Sequence, residues 1–326
     1  MVNVGIMSFA HMHAHSYAAC LKQLPGVKLG AIWDDSAKRG ADMSQTFHTP
    51  FIPKLDDFLA TDIDAVIICS ENIKHRAMVE AAAKAGKWIL CEKPLATTVK
   101  DATAMVQACD KAGVGLGTAF PCRFVTPLME VKRRLDAGEI GELYMANCTN
   151  NGSFPGGWFA KDELAGGGAT MDHTVHVADV LRWITGREFT KVYCEKGAFI
   201  RRNLKTDDCG ALHLEMEGGI KVAHVASWNR AASFPTWGDV TLELIGEKGV
   251  INCNAFGQKL DVYSDKHGKG EWAHWGDNAD LALVQDFVQA VAQKRPMAST
   301  GLDGLRAVEV TVAAYKSAKA GKAVAV

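Results

Sequence analysis

Within residues 1–120, short runs of uninterrupted apolar residues alternate with segments of helical period. Strand candidates lie at 2–7, 27–33, 65–69, 87–91 and 114–118. Helical candidates lie at 13–24, 74–85 and 99–112, stopped by Pro25-Gly26, Gly86 and Gly113. A strand that is apolar throughout has to be covered on both faces, and parallel strands joined by helical crossovers achieve this. Right-handed crossovers distribute the helices over both faces. The expectation for 1–120 is therefore an α/β, doubly wound parallel sheet.

The pattern changes near residue 120. Helical segments are expected at 127–137 and 170–185, with glycine-rich stretches at Gly156-Gly157 and Gly166-Gly167-Gly168. A strand candidate at 143–149 is followed by two hairpin signals, 211–216 with 220–227 and 241–245 with 250–253. Two helices, 279–293 and 302–320, close the chain. Residues 121–326 thus read as an α+β domain with a mostly antiparallel open sheet. Two domains suit a chain of 326 residues.

Composition narrows the function. Lys plus Arg number 36 against 37 Asp plus Glu, so there is no basic field to hold a nucleic acid. No apolar run reaches the roughly 18 residues of a membrane span. The opening residues show no basic leader or cleavage pattern, and the nine cysteines are dispersed without a C-x-x-C. These features lead us to expect reduced thiols and a cytoplasmic location.

The first strand-to-helix turn is where a parallel sheet binds ligands. It reads Ser8-Phe9-Ala10-His11-Met12-His13. A dinucleotide fingerprint would put glycine at 8, 10 and 13. Ser8 and Ala10 are small enough for close backbone approach; His13 is not. Asp34, 26 positions after Ser8, ends the second strand. A carboxylate there accepts from both ribose hydroxyls and repels a 2′-phosphate, which favours NAD over NADP. The alternative is that Asp34 or Asp35 caps the next helix. His11-x-His13 could also ligate a metal in a hydrolase, but the positive helix N-terminus disfavours a cation, and no metal is expected.

In the second half, Asp172 and His176 are four apart and share a helix face, with Asp179 three further on. Imidazole is suited to general base work near neutral pH. Arg123 follows the last parallel strand and could reach substrate or pack at a domain junction. Trp158, after Gly156-Gly157, could stack on a sugar ring or belong to a core.

The segment Trp88-Ile89-Leu90-Cys91-Glu92-Lys93-Pro94-Leu95 is the sharpest feature of the chain. Together with Ile67-Ile68-Cys69-Ser70, Asn72, His75 and Gly86, and with Gly166-Gly167-Gly168 ahead of Asp172-x-x-x-His176, it resembles the Gfo/Idh/MocA oxidoreductases. The resemblance spans essentially the whole chain and departs from the family at residues 8–13. It implies an N-terminal Rossmann domain, a nicotinamide cofactor and hydride transfer to or from a hydroxylated substrate such as a sugar, sugar derivative or cyclitol. It places Lys93, Asp172 and His176 at the family's catalytic positions. Cofactor contacts are expected of Ser8, Phe9, Ala10, His13, Asp34, Ser70, Asn72, His75, Glu92 and Lys93. Substrate contacts are expected of Arg123, Trp158, Asp172 and His176. A homodimer or homotetramer formed through the second domain's sheet is also implied. Two other classes compete: a non-catalytic dinucleotide sensor on the same scaffold, and the metal hydrolase.

Overall fold

The computed structural model describes residues 1–266 and 268–326, without the side chains of Lys269 and His274. Its first part runs β1 Val2–Met7, α1 His13–Gln23, β2 Val27–Trp33, α2 Ala37–Phe47, α3 Leu55–Leu59, β3 Ala65–Ile68, α4 His75–Lys84, β4 Trp88–Cys91, α5 Val99–Ala112 and β5 Leu116–Thr118. The five strands are all parallel, in the order β2-β1-β3-β4-β5. All four residues of β3 are buried, as an apolar central strand requires. The expected Rossmann arrangement is what the chain adopts.

The second part runs α6 Thr126–Asp136, β6 Leu143–Ser153, α7 Asp162–Ala165, α8 Ala169–Thr185, β7 Phe189–Gly197, β8 Cys209–Met216, β9 Lys221–Arg230, β10 Gly238–Gly246 and β11 Val250–Asn254. The strands β12 Lys259–Ser264 and β13 Lys269–His274 form a separate ribbon. Helices α9 Ala279–Gln293 and α10 Gly301–Ala320 precede a last short strand, β14 Val324–Ala325. The large sheet has the order β11-β10-β6-β9-β8-β7-β14. Both expected hairpins are present, as β8 with β9 and β10 with β11. The β6–β9 pair is parallel and the rest are antiparallel. One face of the sheet carries Leu212, Leu214, Val222, Ala226 and Trp228, all buried, with α8 packed on β6, β8 and β9. The other face exposes Ala211, His213, Lys221 and Val225.

The chain forms two compact units, Met1–Pro121 with Ala279–Val308 and Cys122–Asn278 with Glu309–Val326. The first unit thus differs from residues 1–120 by also taking in Ala279–Val308. Leu283, Val284 and Phe287 on α9 are buried, and α9 packs on α1 and β1 of the first unit. Closure of the first unit thus depends on a segment that follows the second in sequence. All nine cysteines are free thiols. Among the described residues, no helix is long and apolar enough to cross a membrane.

Candidate active site

In the first unit, strand order reverses between β1 and β3, and a ligand crevice opens at the carboxyl ends of such neighbours. The β1–α1 turn lies there. Ser8 holds a left-handed backbone, φ +72°, which a glycine adopts more easily. Its hydroxyl accepts from the Ala10 N–H at 3.2 Å and from Arg39 Nη2 at 3.2 Å, which compensates for the backbone strain.

Asp34 is only 2% exposed. Its carboxylate accepts from Phe9 N–H (2.8 Å), Ser36 N–H (2.8 Å), Arg39 Nε (2.8 Å) and Arg39 Nη2 (2.7 Å). It ties the turn to the start of α2 and carries a paired charge; it is not a bare anion awaiting a ribose. Arg39 also donates to Asp35, and Lys74 contacts Asp35 and Glu71. Two cations therefore stand at this end of the crevice.

At the other end, Glu92 is fully buried after β4. His13 Nδ1 lies 3.0 Å from one carboxylate oxygen and His11 Nε2 3.9 Å from the other. The Lys93 N–H donates to Glu92 at 3.1 Å. Burial alone would raise the pKa of Glu92, but the two imidazoles and the Lys93 ammonium outweigh it and hold the group well below the usual carboxylate range. For His13, enclosure works downward and Glu92 overcomes it, so its pKa is raised. The ligand atoms of His11, His13 and Glu92 lie within 4.8 Å of one another. However, His11 Nδ1 accepts the His13 N–H at 3.2 Å, so the proton of neutral His11 sits on Nε2 and points to Glu92. A metal ligand needs the opposite tautomer, so the set fits a hydrogen-bonded charge cluster better than a metal centre.

Two residues expected at the cofactor face inward. Phe9 is buried, stacked on Phe47 with centroids 5.7 Å apart. His75 is enclosed, with Nδ1 3.1 Å from the Pro94 carbonyl oxygen and Nε2 3.3 Å from that of Ser70. Phe9 therefore braces the turn and His75 joins the loops after β3 and β4. Ser70 and Asn72 are buried in the loop after β3, and Lys93 is 5% exposed. Small residues at 8 and 10 and a first helical turn without acids fit a dinucleotide diphosphate.

In the second unit, α8 carries the expected pair. Gly168 precedes the helix because a Cβ there would sit 1.9 Å from the Asp207 carbonyl oxygen. The first amides are satisfied from afar: Gly168 N–H by Tyr315 Oη at 2.9 Å, Ala169 N–H by the Asp207 carbonyl at 2.9 Å, and Thr170 N–H by the Asp207 carboxylate at 2.8 Å. Asp172 lies in the first turn, where the helix dipole favours a carboxylate. Trp228 Nε1 donates to its Oδ2 at 3.1 Å. Half-buried His176 follows one turn later. Trp228, Phe159 and Ala169 form a cluster with Phe154 and Trp158 packed against it. Trp158 lies flat on Phe159, centroids 3.9 Å apart, which makes it part of an aromatic wall beside Asp172.

Arg123 is placed differently from a substrate-facing cation. Its guanidinium forks onto Asp179 at 2.8 and 2.5 Å, both side chains buried. The pair fastens the segment before α6 to α8. The sequence assigned no role to Asp207, Tyr315, Trp228 or His173. His173 stands beside Asp172 inside the motif that was read, and the other three carry no local signal.

A family model described as "Oxidoreductase family, NAD-binding Rossmann fold" matches residues 2–120, and "GFO/IDH/MocA C-terminal domain" matches 128–252. The chain belongs to the GFO/IDH/MocA family. It is an oxidoreductase with an NAD-binding Rossmann domain. Among its relatives, myo-inositol 2-dehydrogenase of Thermotoga maritima is 27% identical over 324 residues, covering 96% of this chain and 94% of that one. The 1,5-anhydro-D-fructose reductase of Ensifer adhaerens is 30% identical over 271 residues, covering 80% and 79%. A solved structure with the same fold, GenD2 from gentamicin A biosynthesis in complex with NAD, superposes with a TM-score of 0.90 at 24% identity, covering 100% of this chain and 96% of that one.

Proposed function

We propose that this family member transfers a hydride between NAD and a secondary alcohol or ketone of a ring polyol: a sugar, sugar derivative or cyclitol. The observation that carries the reading is the α8 constellation. It holds a pinned carboxylate, Asp172, a histidine one turn on, His176, and an aromatic wall suited to a sugar face. The relatives named for a cyclitol and for an anhydro sugar support the same class.

In the oxidative direction His176 takes the hydroxyl proton and Asp172 orients that hydroxyl by accepting from it or its neighbour. The family resemblance assigns Lys93, an ammonium with three donors, to stabilising negative charge on an oxygen. A nicotinamide held at the carboxyl ends of the parallel strands would supply the hydride acceptor. The turn residues Ser8, Ala10 and His13 would meet the diphosphate, and Asp34 with Arg39 the adenosine end. We place the protein in the cytoplasm as a homo-oligomer that covers the exposed sheet face around Ala211, His213 and Val225. Light scattering should return at least twice the 35.1 kDa chain mass, and the single-chain mass removes the oligomer.

The deciding experiment has two stages. NADH binding is measured first by fluorescence. NAD reduction is then followed with myo-inositol, scyllo-inositol, anhydro sugars and common aldoses. Turnover of a ring polyol supports the reading. Tight NADH binding with no turnover of any member of the panel, in either direction, overturns it.

A further inference from the structure

Asp172 and His173 are consecutive in α8, yet their side chains converge. His173 Nε2 lies 3.2 Å from Asp172 Oδ2, with the side chains 4% and 11% exposed. On the other edge of the ring, Nδ1 lies 2.8 Å from the Asn150 carbonyl oxygen. A carbonyl only accepts, so Nδ1 carries a proton. That leaves Nε2 facing a carboxylate. If neither bore a proton, two lone pairs would meet in a site shielded from water, which is costly. One proton therefore lies between them. Asp172 Oδ2 already accepts the Trp228 Nε1–H, so the shared proton is donated to it from Nε2.

The surroundings agree. The Trp228 Nε1–H donates to the same Asp172 oxygen, so two donors from different elements fix one rotamer. Gly152 on β6 leaves room for the ring, since a Cβ there would lie 2.8 Å from His173 Cε1. The titratable groups facing the ring are Asp172 on α8 and His224 on β9. His224 is buried with Nδ1 3.4 Å from the Cys148 carbonyl oxygen. Burial, with a smaller contribution from His173, pushes its pKa down to about 4, so it adds no second positive charge.

We propose that His173 is a positioning residue: an imidazolium braced by the Asn150 carbonyl that keeps Asp172 ionised and in a single orientation. The inference rests on the reading that Asp172 meets the substrate hydroxyl. It adds that the carboxylate is held there by its own helical neighbour.

Histidine-selective nitrogen NMR at pH 7 tests this without a substrate. His173, assigned by its loss in His173→Phe, should show two protonated ring nitrogens. Asp172→Asn should convert it to the neutral Nδ1–H form. His173→Phe, confirmed folded by its melting curve, should shift or broaden the Trp228 indole N–H signal. His173→Gln, which supplies an amide donor, should restore the signal. On the polyol that the enzyme turns over, His173→Phe should lower kcat about tenfold with KM held, and His173→Gln should recover most of it. A neutral His173 in the wild-type protein, or an unchanged Trp228 signal in His173→Phe, overturns the proposal. Full turnover by Asp172→Asn would instead remove Asp172 from the reaction while leaving the NMR result standing.

Discussion

The starts of α1 and α8, where we propose that cofactor and substrate are met, are built in opposite ways. Around α1 the amides of Phe9, Ala10 and His13 donate to Asp34, Ser8 and His11, all side chains of the turn itself or of the next strand's end. At α8 the amides are taken by Asp207 and Tyr315, which lie far along the chain. In the first arrangement the amides are satisfied within the turn and by the end of the next strand. The second locks the helix start, and the functional groups stand on side chains further into the helix. A binding site for a large anion uses backbone and helix dipole, whereas an acid–base site uses side chains of fixed rotamer.

This contrast can be broken most sharply at His176. His176→Ala should lower turnover by roughly two to four orders of magnitude, the usual size of a general base contribution. NADH affinity measured by fluorescence should stay within about twofold, because the α1 start is untouched. Parallel loss of NADH binding would show that the two starts do not divide the work as described.

Next in size is Arg123→Met. Stranding buried Asp179 should cost about 3–5 kcal/mol in urea unfolding, the range for breaking a buried pair. KM should move little. A large rise in KM with unchanged stability would return Arg123 to the substrate.

Glu92→Gln probes the charge cluster at the first start. The folded pKa of Glu92 is depressed, so its contribution is complete above the unfolded carboxylate value of about 4.3 and is lost as pH falls below it. That of His13 is raised, so its contribution is complete below about 6.5 and is lost as pH rises through the raised value. The stability gap between wild type and Glu92→Gln should therefore peak between about pH 4.5 and 6.5 and reach about 3 kcal/mol there. A gap independent of pH would mean that shape, and not charge, holds the cluster.

The smallest effect concerns the adenosine end. NADH should bind more tightly than NADPH, since Asp34 and Asp35 both flank that site, but Arg39 moderates the repulsion by pairing with Asp34. Arg39→Ala should widen the preference for NADH about tenfold, or 1.4 kcal/mol. If it narrows, Arg39 is not what shields the phosphate site from Asp34.

Much of the fold is legible from local pattern. The apolar runs around Ile67 and Leu90 could only be central parallel strands, and the glycines after Met216 and Ile245 announced their hairpins. The strand β7 escaped because Lys191, Glu195 and Lys196 break up its apolar run, although Lys196 pairs with buried Asp207. Asp172 and His176 were legible because helical spacing is a local property. The sequence by itself determined strand and helix order and which residues bear titratable groups, since these follow from short-range period and residue chemistry; the nicotinamide-binding class came from the family resemblance. Only the tertiary structure decided that Arg123 grips Asp179, that Asp34 is paired with Arg39, and that α9 completes the first unit. It also brought Trp228, Asn150 and His173 to bear on Asp172. Those contacts join residues tens of positions apart, and a hydrogen bond's partner is chosen by proximity in space, which no local pattern records.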